Sequence, residues 1–201
     1  MTWVLLIASY LLGAIPASYI GGRLARGIDL REHGSRNLGA TNAFRVLGWK
    51  VAAPIFAFDT FKGWFPAFAF PRWDGVATPD WALAYGAAAL IGHMFSIYVR
   101  FRGGKGVATG AGVFLALAPL AVLIDIAVWG GIVYITRYVS VASVLAAALL
   151  PWLVLAFGGS RAVFWLSVAV AVLVILAHRA NLRRLVRGDE HRLGRREGKP
   201  A

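Results

Sequence analysis

The sequence predicts an all-α polytopic membrane protein, a single domain over residues 1–201 built as a bundle of seven transmembrane helices with glycine-rich loops on its cytoplasmic side. Three observations lead there. Of the residues, 59% are hydrophobic and only 15% charged, against about a quarter charged in soluble domains. The apolar residues fall in runs long enough to cross a bilayer. The 21 Lys and Arg are concentrated in alternate loops.

Residues 2–22 are apolar or small, about 31 Å as one helix, and form the first expected span. Residues 23–50 are polar and basic. Residues 51–71 are apolar but interrupted by Asp59 and Lys62. A short, turn-rich stretch, 72–80, separates them from a third span, 81–99. Residues 107–136 are too long for one upright helix and short for two, with Ala118-Pro119 in the middle. Residues 139–157 and 163–177 complete the apolar series, and a basic tail begins at Arg179.

Charge decides how 107–136 is divided. If Pro119 turns the chain, the loops at 23–50, 100–106 and 137 and the tail share one face, which then holds 18 of the 21 cations. Without the turn, the basic tail falls on the opposite side. Positively charged loops stay in the cytoplasm, so seven spans are expected, with the N-terminus outside and the C-terminus cytoplasmic. The short helix before Pro119 is expected inside the bundle.

Composition also excludes classes of function. There is no cysteine, so disulfides, thiolate metal sites and Cys nucleophiles are ruled out. The net charge of +12 follows topology, without the interleaved stacking aromatics of a nucleic-acid-binding domain, and no nucleic acid is expected. Met1-Thr2-Trp3 offers no basic segment ahead of the first apolar run, so no cleaved signal peptide is expected. No metal-ligand cluster stands out, and neither metal nor cofactor is expected.

Three polar clusters lie at helix ends. The first is Gly34-Ser35-Arg36-Asn37-Leu38-Gly39-Ala40-Thr41-Asn42. Its glycines let backbone N–H groups approach an anion. Thr41 or Asn42 could cap a short helix over 43–47 that stops at Gly48, with Arg45 near its start; a helix N-terminus with a guanidinium suits phosphate. The second is Gly103-Gly104-Lys105-Gly106. It is not a nucleotide P-loop, because Gly106 stands where Ser or Thr is needed and Val99 where glycine is needed. The third is His178-Arg179-Ala180-Asn181, in which His178 and Asn181 share a face if the helix continues. Within the membrane, Asp59 and Lys62 at i, i+3 are expected to pair, since an isolated charge there is costly. Asp125 lies mid-span and matches no motif.

Together these residues resemble the bacterial acyl-phosphate:glycerol-3-phosphate acyltransferases of the PlsY family. The resemblance runs in order through the first cluster with Arg45, Asp59-Thr60-Phe61-Lys62-Gly63 and Gly92-His93. It continues through Phe101-Arg102-Gly103-Gly104-Lys105-Gly106-Val107-Ala108-Thr109 and Thr136-Arg137-Tyr138-Val139-Ser140 with Ser143. It ends in His178-Arg179-Ala180-Asn181 with Arg184, Gly188 and Glu190. Arg36 and Arg102 depart from it, standing where the family often has Gly and Lys.

The resemblance implies a seven-helix bundle in the bacterial inner membrane that moves a fatty acyl group from acyl phosphate to the 1-hydroxyl of glycerol 3-phosphate, releasing lysophosphatidic acid and phosphate. It also implies membrane lipid as the setting and a soluble enzyme that produces acyl phosphate as a partner. Ser35, Arg45, Lys105, His178 and Asn181 are the catalytic candidates. Gly34, Asn37, Gly39, Thr41, Asn42, Lys62, His93, Gly103, Gly104, Gly106 and Ser143 are the substrate-binding candidates. Acyl phosphate is already activated, so the expected work is to hold two phosphates, align the hydroxyl and stabilise the oxyanion. A phosphate oxygen of the donor is the expected base, with His178 as the alternative. A competing class is a small organic-phosphate transporter, but no inverted repeat is visible. Donor clusters at three separate helix ends argue against a non-catalytic scaffold.

Overall fold

The computed structural model describes residues 1–75 and 79–194, which form ten α-helices and one 3₁₀ turn, with no strand among the described residues. The first apolar run, expected as one helix, is broken into α1 (Thr2–Ala14) and α2 (Ala17–Arg26). Pro16 has no N–H to continue the ladder, and Ile15 before it takes φ −56°, ψ 116°, the extended geometry a following proline favours. The amphipathic α3 (Ala40–Leu47) leads through Gly48 into α4 (Trp49–Asp74). α4 does not stop at residue 71 as expected. It runs through Pro54, Pro66 and Pro71 and ends at Gly75, in the left-handed conformation.

α5 (Pro79–Met94) is followed by a 3₁₀ turn (Ile97–Val99) and then α6 (Val107–Leu117). The turn expected at Ala118-Pro119 is there: Ala118 leaves helical geometry and Pro119 opens α7 (Pro119–Thr136). Proline suits that first position, where its missing N–H has no helical partner to lose. α8 (Val139–Ala156), α9 (Arg161–Ala177) and α10 (Arg179–Val186) complete the order.

Length and hydropathy qualify four stretches of the described residues as membrane crossings, and five when α9 and α10, bent by 53°, count as one. The expected seven therefore requires α4, which carries charged residues, and α6, with only 11 residues, to cross as well. Both are central. Thr109, Gly110, Gly112, Val113 and Phe114 of α6 are buried. A Cβ on Gly112 would lie 2.0 Å from the Thr60 carbonyl oxygen, and one on Gly63 would lie 2.1 Å from that of Thr109. α1 and α5 use the same device: Gly13 faces the Ala89 carbonyl and Gly92 that of Tyr10. Lipid gives helices no hydrophobic reason to associate, so backbone contact at small residues and the dispersion it allows hold these pairs together.

Leu90, Phe114, Val122, Val154, Val170 and Val174 form a core among α5, α6, α7, α8 and α9. A second cluster, with Leu30 and Leu38 of the loop that precedes α3, Ala43 and Leu47 of α3, Ile55 of α4 and Val99, packs that loop onto the helices. Asp125 is buried in α7.

Candidate active site

A cavity of about 430 Å³ collects residues from all three polar clusters. The first loop is shaped by Asn42. Its Oδ1 accepts the Ser35 N–H at 2.8 Å, and its Nδ2 is directed to the carbonyls of Asn37 and His33, both at 3.0 Å, and of Leu30 at 3.2 Å. This side chain organises the loop and does not cap the helix. α3 begins earlier than expected, at Ala40, with Gly39 as its uncapped N-terminal residue, which moves Arg45 into the last turn. Gly34 has φ +58°, and a Cβ there would fall 2.4 Å from Asn42 Oδ1. It lets the loop close and does not line the cavity. Arg36 also takes φ 58°, so the loop is left-handed there despite carrying a side chain that disfavours it. Ser35, Asn37, Gly39, Thr41, Asn42 and Arg45 all line the cavity.

In the second loop the expected N–H nest lies further along the chain. Gly103 N–H donates to the Met94 carbonyl and Gly104 N–H to that of His93, both at 3.1 Å. These glycines pack against the end of α5 and do not line the large cavity. Gly106, with φ +84°, turns the chain into α6, and Gly106, Val107 and Ala108 line it. A helix N-terminus, with unpaired N–H groups and a partial positive charge, thus opens beside Lys105. Lys105 Nζ donates to Asn181 Oδ1. Burial pushes the Lys105 ammonium down to about 8; Glu190 opposes this, while Arg184 and Arg45 add repulsion.

In the third cluster the helix does not run straight on, because the chain bends at His178. His178 and Asn181 nevertheless line the same cavity. His178 Nδ1 lies 2.8 Å from the Val174 carbonyl. A carbonyl only accepts, so the neutral ring carries its proton on Nδ1 and leaves Nε2 as the acceptor. Asn181 Nδ2 and Ser140 Oγ donate to Glu190 Oε1 at 2.7 and 2.8 Å, and Arg184 Nε donates to Oε2 at 2.9 Å. Burial works to raise the Glu190 pKa, but these hydrogen bonds and the Arg184 charge outweigh it and hold the carboxylate below its ordinary range. The chain turns at Gly188 and returns, so that Glu190, His191 and Leu193 join the cavity wall. The Leu193 N–H closes onto the Arg137 carbonyl at 2.8 Å. Ser143 lines the wall from α8, donating to the Val139 carbonyl at 2.8 Å and receiving Trp129 Nε1 at 3.2 Å.

Lys62 is elsewhere. It pairs with Asp59 at 2.7 Å, both side chains buried, beside a separate cavity of about 10 Å³ that Gly103 and Gly104 also line. His93 and Asp59 line both cavities. Sequence reasoning did not place Ser140, Arg184 and Glu190 among the site residues, although all three belong to the resembling motifs. It expected the apolar bundle to hold the acyl chain without naming residues; the cavity has an apolar wall that includes Phe44, Trp49, Ala52, Ala53, Phe56, Trp129 and Val139.

Known proteins resemble this chain over nearly its whole length. The family model described as glycerol-3-phosphate acyltransferase matches residues 3–188. The glycerol-3-phosphate acyltransferase of Geobacter sulfurreducens is 43% identical over 94% of this chain and 96% of the relative. That of Halalkalibacterium halodurans is 44% identical over 97% of each. Two crystal structures of PlsY (YgiH), an integral membrane glycerol 3-phosphate acyltransferase, superpose closely. The glycerol 3-phosphate form has a TM-score of 0.88 at 38% identity, covering 96% of both chains. The lysophosphatidic acid form has a TM-score of 0.85 at 37% identity, covering 96% of this chain and 95% of that one. With a family match over almost its whole length and relatives above 40% identity, the chain belongs to the glycerol-3-phosphate acyltransferase family.

Proposed function

We propose that this protein transfers a fatty acyl group from acyl phosphate to the 1-hydroxyl of sn-glycerol 3-phosphate in the bacterial inner membrane, with the N-terminus outside and the C-terminus cytoplasmic. One observation carries the reading. A single cavity joins three cations, Arg45, Lys105 and Arg184, and the N-termini of α3 and α6 to a wall of aromatic and aliphatic side chains. Phosphates suit the first part and an acyl chain the second, so the reacting carbonyl belongs where the two parts meet.

The glycerol oxygen attacks the acyl carbonyl, the bond to the phosphate oxygen breaks, and the proton passes to the departing phosphate. Arg45 and Lys105 bind phosphate oxygens through charge-assisted hydrogen bonds. Ser35, Asn37, Gly39, Thr41 and Gly106 supply donors around them, Ser143 contributes to the cavity wall with its own proton on the Val139 carbonyl, and Asn181 holds Lys105. His178 is backed by the neutral Val174 carbonyl. A neutral partner stabilises an imidazolium less than the carboxylate behind a triad histidine does. This favours phosphate as the proton acceptor, with His178 Nε2 orienting the hydroxyl. A soluble enzyme producing acyl phosphate would deliver the donor at the cytoplasmic face.

Purified protein supplied with acyl phosphate and glycerol 3-phosphate, without added nucleotide, should form lysophosphatidic acid and phosphate in equal amounts. Product from acyl-CoA and none from acyl phosphate would overturn the donor assignment.

A further inference from the structure

Between the large cavity and the α1–α2 break lies a buried cluster that the reaction does not use. Lys62, 1% exposed on its side chain, sits 2.7 Å from Asp59 Oδ1. Its ammonium also donates to the Ile15 carbonyl at 2.8 Å, at the point where Pro16 interrupts the first span. His93 Nδ1 approaches the same oxygen of Asp59 at 3.7 Å. The other ring nitrogen of His93 meets the glycine loop: a Cβ on Gly104 would fall 2.2 Å from Nε2. The His93 carbonyl accepts the Gly104 N–H at 3.1 Å. Gly104 is thus held by both the backbone and the ring of one residue, immediately before Lys105. The adjoining cavity, about 10 Å³, has room for about one water molecule, and Lys62 does not line the large cavity.

We infer that Asp59, Lys62 and His93 are positioning residues that act on the reaction through Lys105: Lys62 lies outside the large cavity, and Asp59 and His93, which reach its wall, serve to anchor the Lys105 loop. An ion pair inside a bilayer is costly unless its geometry is good, and its best-attested use is to specify one arrangement over others. Here the arrangement joins three parts of the bundle: the α1–α2 break, the middle of α4 and the end of α5. From there two contacts with Gly104 set the start of the Lys105 loop. A displacement of about 1 Å at a substrate-holding group is enough to weaken catalysis about 10²-fold, so a remote anchor of this kind is worth its charges.

The inference rests on Lys105 as a phosphate contact and is tested by double-mutant cycles. The paired variant Asp59→Asn/Lys62→Met removes both charges together, and His93→Asn shortens the ring while leaving the ion pair intact. Each is measured in the wild-type and Lys105→Ala backgrounds, with thermal unfolding as the check on folding. In the wild-type background each should raise KM for glycerol 3-phosphate about tenfold, with kcat changed less than about threefold. In the Lys105→Ala background each should add less than about twofold, because the group being positioned is gone. Losses that multiply in full, or an unchanged KM, would overturn the inference. His93→Asn decides alone if the paired variant does not fold. Absence of acyl transfer in the unmodified protein would count against the proposed function and not against this coupling.

Discussion

Burial brings the Lys105 ammonium down to about 8, so the group is charged below that pH and neutral above it. A phosphate monoester has completed its second ionisation by about pH 7, since that pKa is about 6. Between about pH 7 and about pH 9, KM for glycerol 3-phosphate should therefore rise as the enzyme loses a cation. Lys105→Arg, which keeps its charge throughout, should flatten that rise whatever its kcat. The same rise in both proteins would assign the ionisation to another group. At His178 the decisive contrast is Gln against Ala. With phosphate as the proton acceptor, His178→Gln, which retains hydrogen-bonding capacity without basicity, should keep more kcat than His178→Ala. Loss of a general base alone costs about 10²–10⁴-fold, so equal, deep losses at saturating substrates would assign the proton to histidine. Legibility at this scale was uneven. The residue types suited to phosphate stood out, but the division of labour did not. Asn42 and Gly34 shape the first loop, and Gly103 and Gly104 pack against α5, because their hydrogen bonds depend on neighbours remote in sequence.

Helix boundaries were legible where one rule acted alone. Pro119 opens α7 at the position proline prefers. Pro16 and Pro71 obey the same chemistry with opposite outcomes, one breaking a span and the other carried within α4. Tertiary surroundings decide between those outcomes, and periodicity does not contain them. The reciprocal glycine contacts of α4 with α6 and of α1 with α5 were equally hidden, since glycine in an apolar run does not reveal which helix it will face. They make a direct prediction. In Gly112→Ala the new methyl would stand 2.0 Å from the Thr60 carbonyl oxygen, and the two helices must separate. Overpacking of this kind costs about 1–3 kcal/mol, which a lowered thermal midpoint in detergent would report. A methyl group on Gly130 of α7 would meet no other part of the bundle within 4 Å. Gly130→Ala should be neutral, or gain up to about 1 kcal/mol from helix propensity. Equal destabilisation by the two would remove close approach as the explanation.

At the scale of the molecule, the expected orientation rests on charge. Grouping the loops by seven crossings leaves Arg72 and Arg161 as the cations of the outer face, with Lys62 inside the bundle. The helices meet that grouping halfway. Four or five stretches qualify as crossings by length and hydropathy, while α4 and α6 were harder to read because one carries an ion pair and the other is short. Both are held by each other, and α6 brings its N-terminus to Lys105. A seven-crossing arrangement places that N-terminus, the His178 bend and the returning Glu190 segment on the cytoplasmic side, where water-soluble glycerol 3-phosphate is found. It places Ser160, the residue that caps α9 by accepting the Val163 N–H at 3.3 Å, on the other side. Because the chain has no cysteine, single cysteines report position without background. Ser160→Cys and Arg187→Cys are both at exposed sites, and α9 lies between them. In intact cells a membrane-impermeant thiol reagent should label Ser160→Cys and spare Arg187→Cys; in inverted vesicles the pattern should reverse. Labelling of both from one side would mean that α9 does not cross, and labelling opposite to this order would turn the cationic cavity away from the cytoplasm and remove the orientation on which the proposed reaction depends.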